Sequence, residues 1–302
     1  MKKISISLVA MLMLVAPISA QESSDKVPEA GSIAIGVVFN PVTAAKATTM
    51  AISSVGNAVG NTIMKLEGNP KQMFFLAQEP MVSVQMKYKV TSSMAVRASV
   101  GFSGGMLNYR EYVTDDKAVF LDPYAEDKVA DAIKMNYTGG GVSLGVEWNA
   151  GKKSLRFVGG VGLLYSFGGG DVNLEYGNTI TDLNQHPTCM DKITALNDFD
   201  GNAYMPYARP VKQYNVGITH GVGITANMGV EWFFMKNVSL GATVNITPIM
   251  VAFQPQTYTI YEGFNTYSGK VEKYNKLVSP GSTYLLYGTD NIGVSLALHY
   301  YF

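Results

Sequence analysis

The sequence predicts an all-β fold: a transmembrane antiparallel up-and-down β-barrel of about eight strands, with short turns at one end and long loops at the other. Three observations carry this prediction. Segments of alternating apolar and small or polar residues recur along the chain, short and long connections alternate between them, and aromatic residues collect beside the short turns. Charged residues make up 15% of the chain, well below the usual quarter of a soluble domain.

Eight segments show the alternation. In the last one, Ile292, Val294 and Leu298 share a large apolar face, whereas Gly293 and Ser295 lie on the opposite, small face. The apolar face is expected to meet lipid and the small face to line the barrel interior. The predicted strands are Ser32–Phe39, Met81–Val90, Met94–Phe102, Tyr137–Trp148, Leu155–Phe167, Val216–Phe234, Val238–Met250 and Asn291–Phe302.

The connections between these strands alternate in length. Short turns are predicted at Thr91–Ser93, Asn149–Lys153 and Met235–Asn237, and a short helix at Ala125–Met135 within one long connection. This order is typical of a bacterial outer-membrane barrel with periplasmic N- and C-termini and long loops outside the cell. A soluble barrel is the alternative, but its small, weakly charged face would then have to meet water. The predicted long loops are 40–78, 103–136, 168–215 and 253–287.

The N-terminus resembles a secretory signal peptide. Lys2 and Lys3 precede an apolar run, and small residues precede a cleavage site expected after Ala20, so the domains are a signal peptide at 1–20 and a barrel at 21–302. About 12 apolar residues are too few for a spanning helix. Cleavage leaves 21 basic and 23 acidic side chains, which gives no reason to expect nucleic acid as a partner. The single cysteine, Cys189, cannot form an internal disulfide.

Aromatic residues on the apolar faces lie just before a short turn or at the chain end. They predict one girdle at the periplasmic interface, where outer-membrane barrels concentrate such residues. Both tryptophans of the chain belong to it. The girdle residues are Tyr88, Trp148, Trp232, Phe234, Tyr300 and Phe302.

Charged residues on the small faces are predicted to point into the lumen and to form a salt-bridge network, because isolated buried charges are costly. An eight-stranded barrel has room only for side chains or one small ligand. The network is therefore a structural plug or the lining of a narrow, weakly anion-preferring path, and His299, water or nearby polar groups must accommodate its positive excess. Its members are Lys87, Lys89, Arg97, Glu147, Arg156 and Glu231.

A family resemblance accompanies these patterns. The segment KYKVTSSMAVRASVGF at Lys87–Phe102 and the terminal Tyr300-Tyr301-Phe302 resemble the small outer-membrane barrels of Bacteroidetes-type bacteria, which are similar in architecture to the OmpA, OmpX and OmpW barrels. The resemblance covers the strands and little of the loops. It implies that outer-membrane lipid surrounds the barrel and that the barrel assembly machinery reads the final strand ending in Phe302.

No catalytic, cofactor or metal site is predicted. The three histidines, His186, His220 and His299, are not placed to cooperate, and the His-x-Ser order of a lipid A deacylase-like barrel is broken by Gly221 and Val222. Two fragments have the ligand types of metal sites but are incomplete, and the residues concerned are ordinary in turns. The fragments are His186 with Cys189 and Asp191, and Asp198 with Asp200 and Asn202.

The long loops are the expected functional surface, because rigid scaffolds tend to carry binding residues there. We expect a non-enzymatic protein whose loops bind a surface protein or glycan or support the envelope. A narrow pore or lateral-path transporter and an accessory subunit of an envelope complex remain the alternatives. The last loop carries six tyrosines, which supply contact area at low entropic cost: Tyr258, Tyr261, Tyr267, Tyr274, Tyr284 and Tyr287.

Overall fold

Eight antiparallel strands close into a barrel in the computed structural model of the protein. The structure describes residues 28–40, 82–152, 154–194, 197–198, 204–289 and 292–302. The first strand pairs with both the second and the last, and each remaining barrel strand pairs with its sequence neighbours. The barrel strands are β1 Ile33–Phe39, β2 Val82–Lys89, β3 Met94–Thr114, β4 Lys128–Lys152, β5 Leu155–Glu175, β6 Ala208–Met235, β7 Val238–Gln254 and β11 Ile292–Tyr301.

The predicted barrel class is therefore confirmed. Short turns join β2 to β3, β4 to β5 and β6 to β7, and we call this the turn end of the barrel. On β1, Ile35 and Val37 point outward and are exposed, whereas Ala34 and Val38 point inward and are buried. The exposed apolar side chains form a lipid-facing band, as in outer-membrane barrels.

Two predictions about the opposite end were wrong. The segment 103–136 is not a loop, because β3 and β4 continue as a paired hairpin from Phe102 and Gly140 out to Thr114 and Lys128. The predicted helix at Ala125–Met135 is mostly strand, since β4 begins at Lys128. The helix of this hairpin is instead α1, Asp116–Leu121, at its tip.

Strands β3, β4, β5 and β6 thus extend beyond the barrel as a sheet, which we call the wall. A hairpin of β8, Thr257–Asn265, and β9, Lys270–Ser279, adds to the wall through pairing of β8 with β6. Strand β10, Ser282–Tyr287, pairs with the far end of β7. The predicted loop 253–287 is thus largely strand, whereas the predicted loop 168–215 is strand only at its two ends, up to Glu175 and from Ala208 onward.

A second layer covers the inner face of the wall. This layer, which we call the cap, is formed by residues 176–194, 197–198 and 204–207 and includes the short helix α2, Asp191–Thr194. Its apolar residues pack against inward-facing residues of β3, β4 and β5 and close a buried core. The core consists of Val113, Ile133, Val172, Leu174, Met190 and Ile193.

The predicted signal peptide at 1–20 and all but the first residue of the predicted loop at 40–78 lie outside the described residues. Among the residues that the structure describes, no helix is long and apolar enough to cross a membrane.

Candidate functional site

A buried ion-pair cluster fills the lumen near the turn end. Lys87 Nζ lies 2.8 Å from Glu147 Oε1 and 3.5 Å from Glu231 Oε2, and these three side chains are at most 5% exposed. Arg97 Nη1 lies 3.9 Å from Glu147 Oε2, so it contributes charge but no hydrogen bond. Four residues of the predicted network therefore lie together, from strands β2, β3, β4 and β6.

Glu231 receives most of its hydrogen bonds from residues that the prediction did not include. Ser239 Oγ and Tyr301 Oη donate to Glu231 Oε1 over 2.6 and 2.9 Å. His299 Nδ1 lies 3.4 Å from the same oxygen, and its Nε2 lies 2.8 Å from Gln85 Oε1. These partners compensate for removing the carboxylate from water.

Glycines on the inner face make space for the cluster. A Cβ on Gly36 would lie 2.3 Å from His299 Cδ2 and 2.5 Å from the Leu298 carbonyl oxygen. Gly145 lies opposite Arg97 in register, and a Cβ there would lie 2.5 Å from the Val161 carbonyl oxygen. The small inner face thus leaves room for the His299 ring beside Gly36 and for the backbone of the neighbouring strand beside Gly145.

Lys89 and Arg156 lie apart from this cluster. Lys89 Nζ donates to the Pro28 carbonyl oxygen at 3.4 Å, and Arg156 Nη1 donates to the Ser92 carbonyl and Asn149 Oδ1 at 3.0 and 2.9 Å. Within the described part of the chain, neither side chain has a carboxylate within 4 Å. Carbonyl and amide oxygens thus accommodate the positive excess at the turn end.

Farther along the lumen, neutral side chains replace the ions. Ser99 and Ser143 share a 2.6 Å hydrogen bond, as do Thr243 and Ser295, and Asn245 Nδ2 donates to Ser295 Oγ over 2.9 Å. A narrow cavity reaches from this polar ladder to Lys87 and Glu231. Side chains therefore occupy most of the interior, as the width of an eight-stranded barrel requires.

The six predicted girdle residues lie on the outside of the turn end, in strands β2, β4, β6 and β11 or directly after them. Tyr88, Trp148, Tyr300 and Phe302 are exposed, and Trp232 and Phe234 are half-buried. The Tyr300 and Phe302 rings lie 4.8 Å apart and those of Trp232 and Phe234 5.6 Å apart. That this girdle marks the periplasmic interface stays a prediction.

The three histidines lie in three different parts of the structure. His299 is buried in the lumen, and His220 is exposed on the lipid-facing side, where its Nδ1 lies 2.8 Å from Tyr165 Oη. His186 packs in the cap with its ring 4.4 Å from that of Tyr207. Cys189 also lies in the cap, 3.5 Å from Thr194 Oγ1.

The metal-like fragments give no assembled site. Among the described residues, no group of three or more histidine, cysteine, aspartate or glutamate side chains could hold a metal ion. Asp198 instead accepts hydrogen bonds from Lys276 Nζ at 2.8 Å and Tyr274 Oη at 3.0 Å. Asp200 and Asn202 lie outside the described residues.

Buried polar contacts fix the cap to the wall. Asp131 is fully buried, and its two oxygens accept the backbone N–H groups of Gly177 and Met190, each at 2.9 Å. Arg209 donates to the Asn178 carbonyl at 2.8 Å and forms an ion pair with Glu262 at 2.9 Å. Such satisfied buried contacts specify one arrangement of cap and wall.

Burial also perturbs tyrosines in these layers. It raises the pKa of Tyr207 to about 12 and raises the pKa of Tyr176, above whose ring the Arg209 guanidinium lies at 3.9 Å. In the β8–β9 hairpin, Tyr261 and Tyr274 stack at 5.6 Å, and burial raises the pKa of both. These hydroxyls remain protonated at neutral pH, so they act as hydrogen-bond donors and packing groups.

The residues that sequence reasoning missed had a readable signal. His299 on β11 was expected in the lumen from its inward parity, and Tyr301, Gln85 and Ser239 share that inward parity on their own strands. Counting only charged residues excluded them, although an uncharged donor is what a buried carboxylate needs.

No protein-family model and no curated protein matches this chain. Among solved structures, it is similar to Ail, the attachment invasion locus protein of Yersinia pestis, with 8% identity, a TM-score of 0.31 and coverage of 90% of this chain and 99% of that one. It is also similar to the outer membrane protein OprG from Pseudomonas aeruginosa, with 10% identity, a TM-score of 0.27 and coverage of 90% and 98%. The barrel assignment itself rests on the closed strand pairing and the exposed apolar band.

Proposed function

We propose that this outer-membrane barrel is a non-enzymatic surface-binding protein, and that its wall binds an external protein or glycan. The main observation in support is that the wall and cap form an ordered two-layer structure with its own apolar core, well beyond the lipid-facing band. A barrel needs no such structure to close or to stay in the membrane. A rigid scaffold that holds a surface in place lowers the entropic cost of binding.

The filled lumen supports the same proposal. The Lys87, Glu147 and Glu231 cluster and the hydroxyl pairs beyond it leave only a narrow cavity. Binding at the wall needs no passage through the barrel. An envelope-supporting role, or membership of a larger complex through the lipid-facing band, would use other surfaces of the same molecule.

Adhesion of whole cells tests this proposal. Cells displaying the full chain should adhere to a surface-protein or glycan array, and an antibody fragment that recognises folded wall residues should block adhesion. Cells displaying equal amounts of an unrelated small barrel provide the control. Adhesion equal to that control, or adhesion that wall-directed fragments leave unchanged, would contradict a binding role for the wall.

A narrow pore is the second candidate, and one observation favours it. Several buried polar atoms along the lumen, including Asn227 Nδ2 and Ser166 Oγ, have no protein partner, so water is expected beside them. In planar bilayers, a pore would give steady ion conductance that changes when Arg97→Gln or Glu231→Gln is introduced. We expect a correctly folded barrel to remain silent.

Export and topology complete the proposal. Residues 1–20 direct secretion, both termini lie in the periplasm, and the assembly machinery recognises the strand ending at Phe302. Mass spectrometry of the mature protein should give a chain beginning at Gln21. Protease added to intact cells should cleave the wall but not a tag at the C-terminus, and cleavage of that tag would reverse the topology.

A further inference from the structure

The tip of the β3–β4 hairpin, residues 115–127, presents apolar side chains to solvent. Helix α1 buries none of its residues, and Phe120 and Leu121 are 76% and 75% exposed. Tyr124 is 92% exposed, and Leu183, on the neighbouring turn of the cap, is 82% exposed. Exposed apolar groups that lie close together mark interaction surfaces more often than isolated ones do.

Hydrogen bonds hold this tip in one conformation. Asp115 accepts from the backbone N–H groups of Lys117 and Ala118 at 2.9 and 3.3 Å, and so caps α1. Asp116 Oδ2 accepts from Asn184 Nδ2 and from the Thr188 N–H, each at 2.7 Å. A six-residue helix is unstable alone, so these contacts fix Phe120 and Leu121 in the exposed position.

The surface around these apolar residues is acidic. Residues 115–128 contain five acidic side chains and two lysines, and Asp182 precedes Leu183 on the adjacent turn. Such a surface repels phosphate-rich lipid and nucleic acid and attracts positive charge. The acidic members of this stretch are Asp115, Asp116, Asp122, Glu126 and Asp127.

We propose that this acidic, apolar tip is a docking surface for a cationic amphipathic segment of a partner protein. Phe120, Leu121 and Tyr124 would contact the partner's apolar face, and Asp122, Glu126 and Asp127 would contact its lysines or arginines. The inference deepens the proposed binding function and rests on it, because it names the part of the wall and the chemistry of the partner.

The other hairpin of the wall offers a matched control. In and beside β9, Tyr267 and Leu277 are 86% and 67% exposed, but Lys270 and Lys273 accompany them. The β8–β9 hairpin therefore exposes apolar side chains near lysines, whereas the tip exposes them near carboxylates. A ligand that recognises only exposed apolar surface would not distinguish them.

Fluorescence anisotropy with three labelled peptides tests the proposal. The full barrel in phosphatidylcholine nanodiscs is titrated with a lysine/leucine amphipathic helix, its glutamate/leucine counterpart and a lysine/serine peptide of equal length. Binding by the lysine/leucine peptide should weaken at least about tenfold in Phe120→Ser/Leu121→Ser, because apolar burial is lost. Asp122→Asn/Glu126→Gln/Asp127→Asn should weaken it similarly, whereas Tyr267→Ser/Leu277→Ser should not.

Several results would overturn the inference: equal binding of the glutamate/leucine or lysine/serine peptide, unchanged binding by both tip variants, or tip-dependent binding of the protein to neutral lipid vesicles. The heat-induced mobility shift on gels verifies that every variant is folded. If cells displaying Phe120→Ser/Leu121→Ser adhere normally, the docking inference fails and the proposed binding function stands. If wild-type cells do not adhere, the proposed function itself fails.

Discussion

The two ends of one strand carry their apolar side chains on opposite faces. Within the lipid-facing band, Val142 and Leu144 of β4 point outward and are exposed, while Glu147 points inward and is buried. Beyond the band, on the same strand, Ile133 is inward and fully buried while Asn136 is outward and exposed. The apolar side thus changes from the outside to the inside of one continuous strand.

Solvent explains this reversal. Lipid surrounds the outside of the barrel, so apolar residues belong there. Beyond the membrane the outside meets water and the inside meets the cap, as in a soluble two-layer protein. The change occurs at glycine runs on paired strands, 139–141 on β4 and 168–170 on β5, where Gly139 and Gly168 are register partners.

We expect mutations in the barrel and in the wall to change stability differently, and the largest loss of stability is expected in the lumen. Glu147→Leu leaves Lys87 with only the 3.5 Å contact to Glu231. We therefore expect this substitution to lower the free energy of unfolding by about 3–5 kcal/mol. Adding Lys87→Met should recover more than half of that loss, since Glu231 keeps Ser239, Tyr301 and His299. Urea unfolding in lipid vesicles, followed by Trp148 and Trp232 fluorescence, measures both. Equal losses in the single and double variants would contradict the ion-pair explanation.

In the wall, the effect should stay local. Ile133→Ala removes a fully buried side chain from the core between wall and cap and should cost about 2–5 kcal/mol there. Faster amide exchange in residues 176–194, with an unchanged heat-induced mobility shift, would show that the cap loosens while the barrel stays closed. Tyr112→Ala, at an exposed position of the same hairpin, is the control. A global loss of the barrel would contradict the separation of the two ends.

The move of apolar side chains from the outside to the inside of the strands also explains what the sequence could and could not predict. Eight strands and their inward and outward residues were predictable wherever lipid faced them, as at Val84 and Val100. From Phe102 to Asn108 every residue of β3 is exposed, so the alternation of buried and exposed residues is lost there, and the sequence pattern was interpreted as a loop over 103–136. On β4 the alternation is present with its apolar residues on the inward parity, at Val129, Ile133 and Met135, and a search for alternation of either phase would have found this part of the strand.

Contacts across the barrel were only partly predictable. Inward parity brings Lys87 and Arg97 to one face, and they are register partners on β2 and β3. Parity does not give the depth of each residue along the lumen, which depends on strand stagger. Parity also does not give the contacts that a side chain makes: Lys89 lies two residues from Lys87 and Arg156 is the register partner of Glu231, yet both form hydrogen bonds with carbonyl and amide oxygens instead.

A pair of glycine substitutions sharpens the contrast at a smaller scale. Gly36→Ala should destabilise the barrel by about 1–3 kcal/mol, because its Cβ would lie 2.3 Å from His299 Cδ2. Gly105→Ala, in the wall, has no atom within 4 Å of its Cβ and should be neutral or slightly stabilising, since alanine loses less backbone entropy in a strand. Urea midpoints of the two variants give the comparison, and equal shifts would show that lumen packing is not limiting.

The smallest effect is expected where cap and wall meet at the surface. Lys192 Nζ lies 2.8 Å from Glu111 Oε2 and also contacts Tyr109. The hydrogen bond from Lys192 lowers the pKa of Glu111 below its ordinary 4.5, and the bond to Glu111 raises the pKa of Lys192 above its ordinary 10.5.

The signs define a pH window for this pair. A lowered carboxyl pKa stabilises the folded state above the ordinary value and loses that contribution as pH falls through the folded pKa. A raised lysine pKa stabilises it below its ordinary value and loses it as pH rises through the folded one. The pair should therefore protect α2 between pH 4.5 and 10.5, by at most about 1 kcal/mol because both side chains are well exposed. Amide exchange of 191–194 should lose this protection below that window in the wild type but show no such pH step in Glu111→Gln, and identical profiles would remove the pair from the forces that hold the cap.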